Sequence, residues 1–123
     1  MKLISDTKIK IKQIRKQFFD ALDYGLKQYL KLRLYFSPAS ISLLEQLAEI
    51  YLRKQQFDQA IACFNSILKQ NPEDAATYVR LGQTLLMENN LVDARIAFKK
   101  ALEIDPSQQE AENYQHDYDS DHQ

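Results

Sequence analysis

An internal repeat constrains this chain more than any other feature. Shifting residues 75–106 back by 34 lays them on 41–72. The identical pairs are Leu47/Leu81, Leu52/Leu86, Ala60/Ala94, Phe64/Phe98, Leu68/Leu102 and Pro72/Pro106. The small pair Ala48/Gly82 and the large pairs Leu44/Tyr78, Tyr51/Leu85 and Phe57/Leu91 keep the same register. A repeat of this length is one supersecondary unit copied, and such a unit buries its apolar face only by stacking on a neighbour.

The spacing within each copy identifies the unit. Leu44, Leu47, Ala48 and Tyr51 fall at i, i+3, i+4 and i+7, one face of a helix. After the polar break "KQQ" (54–56), Ala60, Phe64, Ile67 and Leu68 form a second such face. The second copy repeats this with Tyr78, Leu81, Gly82 and Leu85, the break "ENN" (88–90), then Ala94, Phe98, Ala101 and Leu102. Small residues at 48, 82, 60 and 94 let two antiparallel helices approach closely. Phe64 and Phe98 fill the space between hairpins.

The pattern Leu44-x2-Leu47-Ala48-x2-Tyr51…Ala60-x3-Phe64…Pro72, repeated as Tyr78-x2-Leu81-Gly82-x2-Leu85…Ala94-x3-Phe98…Pro106, resembles the tetratricopeptide repeat. Leu44 and Tyr78 stand where that family usually has Trp, and Leu85 where it has Tyr. The resemblance covers 41–106, about half of the chain. It implies an all-α fold, an α-solenoid of stacked helix-turn-helix hairpins with a helical N-terminal unit and a C-terminal capping helix. The expected segments are 1–36, a basic amphipathic helix or degenerate repeat; 37–71, the first repeat; 72–105, the second; 106–116, a capping helix; and 117–123, a disordered acidic tail.

The N-terminal segment is read in two ways. A third copy would span 7–38, but Gln13, Ile14, Gln17, Leu26 and Leu30 stand where Leu, Gly, Tyr, Ala and Phe belong. As one continuous helix, it places Ile11, Ile14, Phe18, Leu22, Tyr29, Leu32 and Phe36 on one stripe, with Lys10, Lys16, Lys27 and Lys31 opposite. The strand-like alternation of "KIKIK" (8–12) weighs little inside a helical chain. The stripe is expected to pack on the first full repeat, because two repeats alone are marginal. The corners Ser37-Pro38, Asn71-Pro72 and Asp105-Pro106 recur at the repeat period and read as an N-cap followed by proline at the first helical position.

Charge is distributed unevenly. Residues 1–36 carry nine Lys/Arg and three Asp, a net of +6; residues 37–123 carry seven Lys/Arg and fourteen Asp/Glu, a net of −7. The start "MKLISDTKIKIKQIRK" never reaches the continuous apolar run of a signal peptide, and no stretch approaches the roughly 18 apolar residues of a membrane span. The lone Cys63 excludes an internal disulfide. The expected location is intracellular and cytoplasmic, with peripheral membrane association as the variant.

Catalytic and metal chemistry find no foothold. "DYDSD" (117–121) opens like a calcium loop, but His122 takes the glycine position and no closing Glu follows. His116 and His122 alone make a weak metal site, and Cys63 has no His at helical spacing. No phosphate-binding glycine loop or Ser/His/Asp set occurs. The chain is expected not to be an enzyme, with no cofactor and no metal.

Binding is the better prospect. The family lines a concave groove with the face of each first helix that flanks the core stripe. By that resemblance the partner-binding residues are Glu45, Glu49, Leu52, Arg53, Val79, Arg80, Gln83, Leu86 and Met87. Leu52, Val79, Leu86 and Met87 are the apolar anchors and the others set polarity. Chaperone-tail binders of the family clamp a terminal carboxylate with Lys and Asn. Here Glu45 and Glu49 take those places and repel it. The function implied is a protein–protein interaction scaffold or adaptor that captures a peptide or helix of its partner, in the manner of assembly factors for larger complexes. The alternative is a membrane-surface or anionic-partner module acting through residues 1–36. Self-association is a further reading; nucleic acid is not expected, although Phe18, Phe19, Tyr24 and Tyr29 interleave the cations.

Overall fold

A computed structural model describes residues 2–36 and 40–122. It divides into two compact units, Met1–Pro38 and Ala39–Gln123. The first holds one helix, α1 (Lys2–Phe36). The second holds α2 (Ile41–Arg53), α3 (Phe57–Gln70), α4 (Ala75–Met87), α5 (Leu91–Ile104) and α6 (Gln109–Asp121). No strand occurs among the described residues.

Residues 2–36 are thus a continuous helix, not a degenerate hairpin. Nothing in this segment provides a break like "KQQ" or "ENN", and its one Gly, Gly25, sits mid-helix. The stripe residues Ile11, Ile14, Phe18, Leu22, Tyr29 and Leu32 are each 50–65% exposed.

In the second unit α2 pairs with α3, α4 with α5, and the hairpins join through α3 and α4; α6 closes the far side on α5. Ala48, Ala60, Phe64, Ile67, Ala94, Ala101 and Ala111 have essentially no exposure, and Phe98 is nearly as buried. The small residues work as expected. A Cβ built on Gly82 would lie 2.9 Å from the Phe98 ring, so helix α4 approaches that ring only because position 82 is Gly. Phe98 in turn lies against Tyr114 of α6, their centroids 4.7 Å apart. The second hairpin is therefore closed by an aromatic contact from the cap helix.

Both hairpin turns end the first helix in the same way. Gln56 N–H bonds Tyr51 C=O at 2.8 Å and Gln55 N–H bonds Leu52 C=O at 3.0 Å; Asn90 to Leu85 (2.8 Å) and Asn89 to Leu86 (2.9 Å) repeat the pair. This is the Schellman ending, which needs a left-handed residue after the cap. Gln55 (φ 56°) and Asn89 (φ 62°) supply it, neither being Gly.

The proline corners work differently from the expectation. Asn71 and Asp105 are C-caps of the preceding helices, donating to Ile67 C=O and Ala101 C=O, both at 2.8 Å. Each then opens a turn with proline second: Asp74 N–H reaches Asn71 C=O and Gln108 N–H reaches Asp105 C=O, both at 3.3 Å. Proline fits that turn position, and it forces the residue before it into extended backbone. The N-caps of the next helices are therefore Asp74 and Gln108, not the residues ahead of the prolines. Ser40 caps α2, so the caps keep the register of the repeat at 40, 74 and 108. Ser37-Pro38 lies outside the described residues.

The acidic end also departs from expectation. Helix α6 starts at Gln109 and runs through 117–121, most of the segment expected to be disordered. Side chains hold it: the Arg95 guanidinium lies 4.0 Å over the Tyr118 ring, and Tyr118 stacks on His122 at 3.9 Å.

Candidate protein-interaction site

Helices α2 and α4 carry the nine residues assigned to binding. Leu52 and Leu86 are half-buried at equivalent positions, and Met87 is open, 55% exposed. Val79 is not an anchor: it is 5% exposed and belongs to the core of α4. Its helical neighbours explain this. Ala75 and Gly82, one turn before and nearly one turn after it, are both buried, so this side of α4 faces inward. Glu45, Glu49, Arg53 and Gln83 are exposed and Arg80 is half-buried.

The structure brings two of the charged residues together. Arg80 of α4 forms an ion pair with Glu49 of α2, linking the two repeats. The same guanidinium sits 5.0 Å from the centroid of Phe64 on α3. Arg80 is thus held between three helices, its apolar plane on an aromatic face and its donors on a carboxylate. Thr84, fully buried one turn later, donates its hydroxyl back to Arg80 C=O at 2.8 Å, so that hydroxyl is satisfied. Within this pair Glu49 stays exposed and Arg80 half-buried. Of the nine, Leu52, Leu86 and Met87 are the open or half-open apolar residues, and Glu45, Arg53 and Gln83 are exposed polar ones.

Two further concavities lie elsewhere, beside α5. One of about 470 Å³ is lined by Ile61 and Asn65 of α3, Tyr78 of α4 and Ile96 and Lys100 of α5, among others. Another of about 310 Å³ is lined by Leu91, Val92, Arg95, Ile96, Lys99 and Tyr118. Val92 and Ile96 are 72% and 61% exposed. Their signal was in the sequence: they stand at i and i+4 on the side of α5 opposite Ala94 and Ala101, where a solvated helix would be polar.

Burial pushes the Cys63 thiol up to about 11, so it stays protonated and inert at neutral pH. Among the described residues no group of three or more His, Cys, Asp or Glu could hold a metal ion. No helix among them is long and apolar enough to cross a membrane.

Known proteins resemble this arrangement. The family model described as "Tetratricopeptide repeat" matches residues 45–108. The chain is 35% identical over 81 residues to the peroxisomal targeting signal receptor of Saccharomyces cerevisiae, covering 66% of this chain and 13% of that protein. It is 33% identical over 86 residues to the general transcriptional corepressor ssn6 of Schizosaccharomyces pombe, covering 70% of this chain and 8% of that one. The chain therefore spans only a small part of these relatives. Among solved structures, the first TPR of Spaghetti (RPAP3) bound to the HSP90 peptide SRMEEVD superposes with a TM-score of 0.69 at 21% identity, covering 86% of this chain and 84% of that one. YrrB, a TPR protein with an unusual peptide-binding site, gives 0.67 at 20% identity, covering 72% and 46%. These structures share the all-α solenoid fold, and with the model matching more than half of its residues, the chain belongs to the tetratricopeptide repeat family.

Proposed function

We propose that this chain is a protein-interaction module that captures a short segment of a partner across the α2/α4 face, as an adaptor or assembly factor would. One observation carries the reading. Leu52 and Leu86, one repeat apart, lie half-open at equivalent points of successive hairpins and continue into the exposed Met87. A row of apolar groups on a rigid scaffold, with Arg80 already paired to Glu49, suits an apolar peptide or helix better than an acidic tail. Glu45 strengthens that preference, because the neighbouring fold with the peptide SRMEEVD holds a ligand of the charge that Glu45 repels. That one relative is a targeting signal receptor also fits capture of a short protein segment. The repeats act as a binding platform and not as a catalyst, inside the cell.

The test compares pull-downs by the wild type, Leu86→Glu, Met87→Glu and Val92→Glu, with circular dichroism checking that each is folded. Partners lost with the first two and kept with the third identify this face. The opposite pattern moves the site to the cavities beside α5, where exposed Val92 and Ile96 offer the second reading.

A further inference from the structure

Helix α1 carries an apolar face of its own. We infer that α1 lies in the surface of an anionic lipid bilayer, with its apolar stripe in the acyl boundary and its flanking cations among the headgroups. Its 35 residues at the helical rise give a rod about 50 Å long. Ile11, Ile14, Phe18, Leu22, Tyr29 and Leu32, all at least half exposed, run along one side of it.

Three features select the occupant. The first is straightness. Ile11 recurs as Tyr29 and Ile14 as Leu32, and that shared offset is a whole number of turns of an undistorted helix. A stripe that keeps to the straight-helix period does not wind around a partner helix, since coiled coils need a tighter heptad repeat. It presents a flat line that matches a plane.

The second is the placement of charge. Lys8, Arg15 and Arg33 border the stripe on one side and Lys10, which the continuous helix sets beside the stripe and not opposite it as expected, on the other, whereas Asp6, Asp20 and Asp23 all fall on the opposite half of the helix. Only cations meet whatever covers the stripe. A second copy would bring those cations against their own kind, so self-pairing is disfavoured and an anionic surface favoured.

The third is how the border cations are held. The Arg33 guanidinium donates to the Tyr29 hydroxyl at 2.8 Å and lies 5.7 Å over its ring. A cation resting on an aromatic ring at the edge of an apolar stripe suits the boundary between headgroups and hydrocarbon. The helix is too polar to span, so it lies in the plane.

The test uses the full chain with vesicles of phosphatidylcholine alone or mixed with phosphatidylserine, scored by flotation. Binding should be at least roughly tenfold stronger to the mixed vesicles and should fall as salt rises. Phe18→Gln with Leu22→Gln should lower it at least about tenfold, and Lys8→Gln with Arg15→Gln and Arg33→Gln on the order of 100-fold. Circular dichroism confirms that each variant remains helical. Leu86→Glu should bind vesicles normally, which separates this inference from the reading of the α2/α4 face. No binding to mixed vesicles, or equal binding to both kinds, overturns it. So does sedimentation showing a dimer or a protein complex that the Phe18/Leu22 variant abolishes while vesicle binding persists.

Discussion

Gln55 and Gln56 make the first repeat's turn less well than Asn89 and Asn90 make the second's. Gln55 holds a left-handed backbone that a Cβ penalises and that Asn tolerates better. Gln55→Gly should therefore stabilise the fold by about 1 kcal/mol, and Asn89→Gly by much less, as read by urea denaturation. The next residue carries a second contrast. Asn90 caps α5, accepting from Asp93 N–H at 3.3 Å and donating to the Asp93 carboxylate at 2.8 Å. Gln56 makes no side-chain cap for α3, and its Oε1 is buried with no partner. One methylene longer, Gln overshoots the first-turn N–H that Asn reaches. Gln56→Asn should add about 1 kcal/mol by the same measurement, and no change would remove the capping argument. The equivalence of 55/89 and 56/90 was legible from the period. The sign of φ and the orphaned oxygen were not, because both depend on how the two helices meet.

At the scale of elements, the joint between α5 and α6 is where local chemistry sets geometry. The Asp105 carboxylate accepts from Ser107 N–H (3.0 Å), Ser107 Oγ–H (2.7 Å) and Gln108 Nε2–H (2.8 Å). These bonds hold its pKa below the ordinary carboxylate range, the Ser107 hydroxyl contributing most. The unfolded chain then takes up the proton more readily than the folded one. The stabilisation is present above the ordinary carboxylate pKa and is lost as pH falls through the lowered folded value. Asp105→Asn should lower stability at neutral pH and flatten the acid limb of the pH–stability curve. An unaltered acid limb would locate the acid sensitivity in other carboxylates. Sequence pattern identified the corner but assigned its acid to the wrong helix. A proline preceded by a polar residue is common to a helix start and to a turn, and only the hydrogen bonds separate them.

For the whole molecule, the decisive fact is that each layer of the stack depends on the next. Phe98 is closed by Tyr114, Ala111 is fully buried, and α5 holds α6 again through Arg95 and Tyr118. Ending the chain after Ser107 would uncover the α5 side of this core. It should cost at least about 2 kcal/mol from apolar exposure and the lost aromatic pair, measured as a lower Tm with earlier aggregation. A truncated chain that melts unchanged would make α6 an appendage instead of a cap.

The sequence by itself determined the helical class, the two hairpins, the small residues at their crossings and the apolar stripe of residues 1–36, because each follows from periodicity along one chain. Tertiary structure alone decided which polar groups meet. Arg80 and Glu49 are far apart in the chain and pair because stacking brings α4 beside α2, and the buried side of α4 takes Val79 out of the binding face. The same holds for the end of the chain, where an acidic segment that looks too polar to fold extends as helix. Arg95, on the preceding helix, reaches its Tyr118 ring across the packed surface. Such contacts depend on distances between elements, which spacing along a sequence does not encode.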